Sequence, residues 1–133
     1  MKVMVIVKAT QEIEAQQHPL DIEGGPELFQ AMEAYTEELE AAGIVVAGAG
    51  LKPSRFGVRI RVEGDERRVI DGPFAEAKEL VAGFSIWEVR SIDEAVEWAK
   101  RSPLATGSEI EIRPFWEPED FGPAVAGAAD AQG

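Results

Sequence analysis

Apolar residues recur along the first 50 positions in two different rhythms. Lys2 to Lys8 sets Val3, Val5 and Val7 on one side of an extended chain and Met4 and Ile6 on the other, so a strand here needs cover on both faces. From Pro26 to about Gly43, Leu28, Met32, Tyr35 and Leu39 return every three or four residues, which is a helix with one buried stripe. Glu33, Glu37, Glu38 and Glu40 fall largely outside that stripe, and a first-turn proline and a closing glycine mark the ends. Ile44 to Gly48 reads as a second strand, apolar on both faces, whose small residues let another backbone come close. Residues 9–25 have no period, and His18-Pro19 and Gly24-Gly25 mark them as a long surface loop.

The second half alternates more sharply. Arg55 to Val62 points Phe56, Val58, Ile60 and Val62 one way and Arg55, Gly57, Arg59 and Arg61 the other. Gly64-Asp65 turns this strand into Arg67 to Ile70 as a hairpin. Phe84 to Val89 is a further strand, with Phe84 and Ile86 on one side and Trp87 and Val89 on the other. Ser91-Ile92-Asp93-Glu94 has the form of a capping box and opens a helix to about Arg101, with Ile92, Ala95, Val96 and Ala99 inward and Pro103 as its stop. Glu109 to Arg113 is the last strand. Phe115, Trp116 and Phe121 form an arm able to pack on a neighbour, and residues 123–133 read as a flexible Ala/Gly-rich tail.

Strand, helix, strand, hairpin, strand, helix, strand is an α+β order: a ferredoxin-like βαββαβ unit with an inserted β-hairpin, in one domain spanning residues 1–122. Two helices cover one face of such a sheet. Three strands are apolar on both faces, so a homodimer packing through the exposed sheet face is expected to supply the other cover.

Composition narrows the class. At 133 residues and 45% hydrophobic content the chain can bury a real core. It has no cysteine, which removes disulfides and thiolate metal sites, and no apolar run long enough for a membrane span. A net charge of −12 repels nucleic acid and anionic membranes, and a cytoplasmic setting is expected. The charge is uneven: residues 9–42 hold nine Asp and Glu and no Lys or Arg, whereas 52–68 hold six Lys and Arg against three acids. Both blocks suit solvated surface, and they also suit facing each other across a subunit boundary.

The candidate chemistry centres on Asp71-Gly72-Pro73-Phe74, a carboxylate, a rigid turn and a ring between two strands. Pro73 fixes its φ and drives Gly72 out of the helical region, Gly72 is free to take a positive φ, and Asp71 can cap the backbone N–H groups that follow. Pro73 can also open a short helical segment over 74–80. The structural reading is an Asx cap; the functional one is a reactive carboxylate. Tyr35 sits on a helix stripe, where core is the usual role and a pocket hydroxyl the other. His18, the single histidine, reads as solvated, with acid–base work as its alternative.

Asp71-Gly72-Pro73-Phe74-Ala75-Glu76, then Lys78-Glu79, Gly83-Phe84 and Trp87-Glu88-Val89, resembles the DGPF signature of YCII-related proteins. The likeness extends over Lys2 to Lys8, Gly43 to Pro53, Ser91 to Pro103 and Glu109 to Pro114. The resemblance implies a dimeric α+β barrel with a cleft near the dimer interface and a His–Asp pair, of which the Asp carries over to Asp71 and the His has no matching position. It implies, in some relatives of this fold, cofactor-free acid–base chemistry. On that basis Asp71 is the expected general base and Lys8 its electrostatic partner, with Phe74, Trp87, Glu76, Lys78 and Tyr35 as ligand-binding candidates and no cofactor or metal. Isomerisation or elimination on a small molecule is one outcome; a non-catalytic ligand-binding or sensing module and a structural dimer without a ligand site are the others.

Overall fold

The computed structural model describes residues 1–76 and 79–122. In chain order its elements are β1 (Lys2–Lys8), α1 (Gln11–Ala15), α2 (Gly25–Ala41), β2 (Val45–Gly50), β3 (Val58–Glu63), β4 (Glu66–Asp71), β5 (Val81–Glu88), α3 (Ile92–Lys100) and β6 (Ile110–Pro114). One-turn helices occur at Ser54–Phe56 and Pro118–Phe121. Four strands form an antiparallel sheet in the spatial order β2-β5-β1-β6, and β3 with β4 forms a separate two-stranded sheet. β5 thus lies between β1 and β2, which is the ferredoxin-like interleaving the element order implies, with the β3–β4 hairpin spliced in.

Register decides which side chains share a face. Val3 lies opposite Trp87, Val5 opposite Ser85 and Val7 opposite Gly83, while Met4 lies opposite Ile86 and Ile6 opposite Phe84. Directly opposed residues point the same way. Val3, Val5 and Trp87 therefore make one floor, and both long helices pack on it through Tyr35 and Leu39 of α2 and Ala95 of α3. Burying side chains such as Val3, Val5 and Leu39 stabilises the fold by about 1.5–3 kcal/mol each. Met4, Ile6, Phe84 and Ile86 line the other face, and all four are partly exposed.

Helix ends follow their sequence signals, with one difference. The Ser91 hydroxyl accepts from the Glu94 N–H at 3.1 Å, as a capping box requires. The Glu94 carboxylate, however, reaches one residue further out and accepts from the Arg90 N–H at 2.9 Å and from its guanidinium. Those bonds, the backbone one first, hold the Glu94 carboxyl below its ordinary pKa. Among the described residues no helix is long and apolar enough to cross a membrane.

Three expectations need adjusting. Arg55 and Phe56, expected in a strand from Arg55 to Val62, lie in the one-turn helix Ser54–Phe56, and β3 begins at Val58. The loop over 9–25 contains the short helix α1, capped at its start by Thr10, whose hydroxyl accepts from the Ile13 N–H at 3.1 Å. Its far end is held from 40 residues away: the Arg55 guanidinium donates to the Glu14 carbonyl at 2.9 Å and to the Gln16 carbonyl. No local signal announces such a contact. β5 also begins earlier than expected, at Val81, because Lys8 pairs with Val81 and Gly50 with Gly83, which extends the sheet past the two glycines. The helical segment expected over 74–80 and candidate Lys78 fall partly on residues 77–78, outside the described residues, as does the expected tail over 123–133.

Candidate functional site

Asp71 ends β4, and the chain turns beyond it through a cis Gly72-Pro73 bond. The turn is packed against the Lys52-Pro53-Ser54 corner. A Cβ on Gly72 would lie 1.8 Å from the Ser54 carbonyl oxygen, so glycine is required here by close approach and not by the positive φ that the sequence allowed for. The Gly72 N–H donates to the Gly57 carbonyl at 3.0 Å, and the Phe74 N–H donates to the Ser54 hydroxyl at 3.0 Å. Ser54 in turn donates through its N–H to one Glu14 carboxylate oxygen at 2.7 Å and through its hydroxyl to the other at 2.5 Å. The Arg59 guanidinium lies 3.7 Å from the centroid of the Phe74 ring. One cluster thus joins α1, the 53–57 turn, the start of β3 and the Asp71 corner.

The Asp71 carboxylate stays outside that cluster. It is exposed, and among the described residues it makes no hydrogen bond or ion pair, so the expected Asx cap does not form. Ser54 does the capping instead. Glu76 is exposed as well. Lys8 sits at the end of β1 on the open face, where its ammonium pairs with Glu111 of β6 at 3.2 Å.

Trp87 and Tyr35 lie on the opposite side of the sheet from Lys8. There a cavity of about 760 Å³ opens between α2 and the sheet, lined by Val7, Gly50, Gly83, Ser85 and Trp87 below and by residues including Tyr35 above. Three glycines at or near positions facing the helix, Gly48, Gly50 and Gly83, leave this space: Gly50 has nothing within 4 Å of where a Cβ would stand. The Trp87 indole N–H donates to the Ser85 hydroxyl at 2.9 Å, which donates to the Ala47 carbonyl at 3.2 Å. The Tyr35 hydroxyl donates to the Trp98 carbonyl at 2.7 Å. Burial pushes the Tyr35 phenol up to about 12, with Glu38 adding to the rise and Arg101 opposing it. The Ser102 hydroxyl, between this cavity and a smaller one behind α3, is buried and has no hydrogen-bond partner among the described residues. Among the described residues, Glu40 is the charged one in the cavity lining.

A second cavity of about 600 Å³ shares Gly50 and Ala82 with the first and is lined by His18, Ile22, Lys52 and Phe56. His18 Nδ1 accepts from the Leu20 N–H at 3.1 Å, which leaves Nε2 as the protonated nitrogen of the neutral ring. The sequence therefore pointed to six residues the structure describes at a candidate site, and the structure divides them. Tyr35 and Trp87 share one cavity, Asp71, Phe74 and Glu76 belong to the hairpin corner, and Lys8 faces away from the cavity. Sequence reading missed Ser54, Glu14 and Ser102, which carry no distinguishing spacing; His18, read as solvated, is exposed in the structure and lines the second cavity as well.

Comparison with known proteins adds a family. An uncharacterised protein of Rhizobium meliloti strain 1021 is 33% identical over 91 residues, covering 66% of this chain and 73% of that protein. Among solved structures, 5-chloro-2-hydroxyhydroquinone dehydrochlorinase from Burkholderia phenoliruptrix AC1100, in complex with 2,5-dihydroxybenzoquinone, is 16% identical with a TM-score of 0.45, covering 88% of this chain and 95% of that one. The YCII-related domain matches residues 1–119, and the chain belongs to the YCII-related family.

Proposed function

We propose that this protein binds a compact, uncharged and largely apolar small molecule in the cavity between α2 and the sheet. The observation that carries this reading is the cavity itself, about 760 Å³ of space walled by Val7, Trp87 and other apolar groups, with a few hydroxyls and no cation in its lining among the described residues. Small-molecule sites have this make-up: concave, mainly apolar, with a small number of polar groups to orient the ligand. A carboxylate ligand would meet Glu40 and find no counter-charge. Toluene, phenol and benzoate serve as probes in thermal-shift and calorimetric titrations. Toluene and phenol are expected to raise the melting temperature by mass action, and benzoate is not. Val7→Phe, which fills the floor of the cavity, is expected to abolish the effect with the fold intact. Stabilisation by none of the three, or stabilisation that survives Val7→Phe, overturns the reading.

Acid–base catalysis on the bound molecule is the second reading, and the position of His18 favours it. His18 lines the cavity that adjoins the first at Gly50 and Ala82, and an imidazole is the side chain most often used to pass a proton to or from a bound molecule. Once a molecule is found that binds and turns over, His18→Gln should remove turnover and leave affinity within about twofold.

The same reading includes a homodimer. Met4, Ile6, Phe84 and Ile86 line a sheet face on which neither long helix packs, and a second copy over that face would cover them. Asp71 and Lys8 then belong to the dimer boundary and act, if they act chemically, in a site completed by both copies. Sedimentation across a dilution series tests this: a single monomeric species at every concentration excludes it.

A further inference from the structure

Ser102 follows the last turn of α3 and carries a hydroxyl that the fold does not use. Its N–H donates to the Ala99 carbonyl at 3.0 Å, which fixes the backbone, and Pro103 after it stops the helix. A serine at a helix end commonly bonds the carbonyl four residues back. Here that carbonyl belongs to Trp98, and it already accepts from the Tyr35 hydroxyl at 2.7 Å and from the Arg101 N–H at 3.1 Å. The Ser102 oxygen is left buried without a hydrogen-bond partner among the described residues, a destabilising state that calls for a partner from elsewhere. Ser102, Leu104 and Ile110 line both the cavity of about 760 Å³ beneath α2 and the one of about 390 Å³ behind α3. The residue as a whole is part-exposed. Serine has one side-chain torsion with three staggered positions, so a single rotation brings the oxygen out to the surface that its own residue lines.

Resting on the cavity reading above, we infer that Ser102 receives the polar end of the molecule bound beneath α2, and that this end is a hydroxyl: the ligand is a small neutral phenol or alcohol whose apolar body lies against Val7 and Trp87. The surroundings of Ser102 choose the hydroxyl. The carboxyl end of α3 carries partial negative charge, and Glu40 adds a full one to the cavity lining. Lys100 and Arg101, at the same helix end, are paired with Glu97 and Glu38. Tyr35 has given its proton to Trp98, which leaves its oxygen able only to accept. A ligand group that only accepts, such as an ether or a carboxylate, brings lone pairs toward this corner. A hydroxyl brings a proton, which the Ser102 oxygen is free to accept.

Calorimetric titration of wild type and Ser102→Ala with phenol, toluene and anisole, three probes of similar size, tests this. Phenol is expected to lose about fivefold to tenfold in affinity on Ser102→Ala, while toluene and anisole, which have no hydroxyl proton to give, stay within about twofold. Unliganded Ser102→Ala is expected to melt at the wild-type temperature or above it, because a methyl replaces a stranded hydroxyl. A phenol affinity that survives the substitution, or one that falls in step with toluene, overturns the role of Ser102 and leaves the cavity standing as a site. Loss of anisole together with phenol overturns the hydroxyl class, since an ether can only accept. A Ser102→Ala protein that melts markedly lower means that the oxygen is bonded within the fold, and overturns the inference as well. Binding of neither phenol nor toluene to wild type removes this inference and the cavity reading together.

Discussion

The Phe74 amide donates to the Ser54 hydroxyl at 3.0 Å, and through Ser54 the corner after β4 is tied to the Glu14 carboxylate on α1. This link, between residues 20 apart in sequence, explains why the corner tolerates so little. Gly72→Ala would drive a methyl to 1.8 Å from the Ser54 carbonyl oxygen, which is backbone and has nowhere to yield. A loss of about 3 kcal/mol is expected on chemical denaturation. Ser54→Ala keeps the close packing but strands the Phe74 N–H and one Glu14 oxygen, and should cost about 1–3 kcal/mol. If Gly72→Ala matched wild type in denaturant midpoint, the packed corner described here would be wrong.

Asp71 behaves oppositely. Its carboxylate is exposed and makes no bond among the described residues, so Asp71→Asn should leave monomer stability within about 0.5 kcal/mol of wild type. An unfolded or strongly destabilised variant would restore the capping role that the sequence proposed and the structure gives to Ser54.

How much of this was legible beforehand depends on whether the cause is local. The α2 stripe, the Ser91 cap and the alternation over Val58 to Val62 are each decided within a few residues, and their order fixes the interleaved sheet. The helix over Gln11–Ala15 was not legible, because its last carbonyls are satisfied by Arg55 across 40 residues. The site was half legible for a related reason. Alternation separates Trp87 from Phe84 and Lys8 from Val7, but only the pairing of Val3 with Trp87 shows that Lys8 and Trp87 point to opposite sides. A cavity is a property of three segments at once, and glycines at 48, 50 and 83 look in the sequence like ordinary strand breakers.

Tyr35 is the single tyrosine, so tyrosinate absorbance reports this residue alone. Its phenol is raised by burial from 10.0 to about 12. The folded state therefore holds a proton that the unfolded chain gives up near pH 10, and the stabilisation is fully present below that pH. It declines as pH climbs from about 10 to about 12. Tyr35→Phe should cost about 1 kcal/mol at neutral pH through the lost bond to the Trp98 carbonyl, and should flatten the alkaline decline. A midpoint for Tyr35 at the ordinary value would mean that the side chain is not buried under α2.

Gly50 stands where the two cavities meet, opposite Gly83 on the floor that faces α2, and a Cβ there has open space around it. Its φ is not positive, so a side chain brings no backbone strain. Gly50→Val should fold normally and gain a few tenths of a kcal/mol to about 1 kcal/mol, since valine favours strands and restricts the unfolded chain. Its two methyls would stand at the wall that the two cavities share. Affinity for toluene should fall severalfold, because the shared wall is narrowed, while the larger loss falls on any turnover that needs His18 to reach the bound molecule. Equal affinity and equal turnover in Gly50→Val and wild type would show that the two cavities work independently, and catalysis by His18 in the first would then have no route.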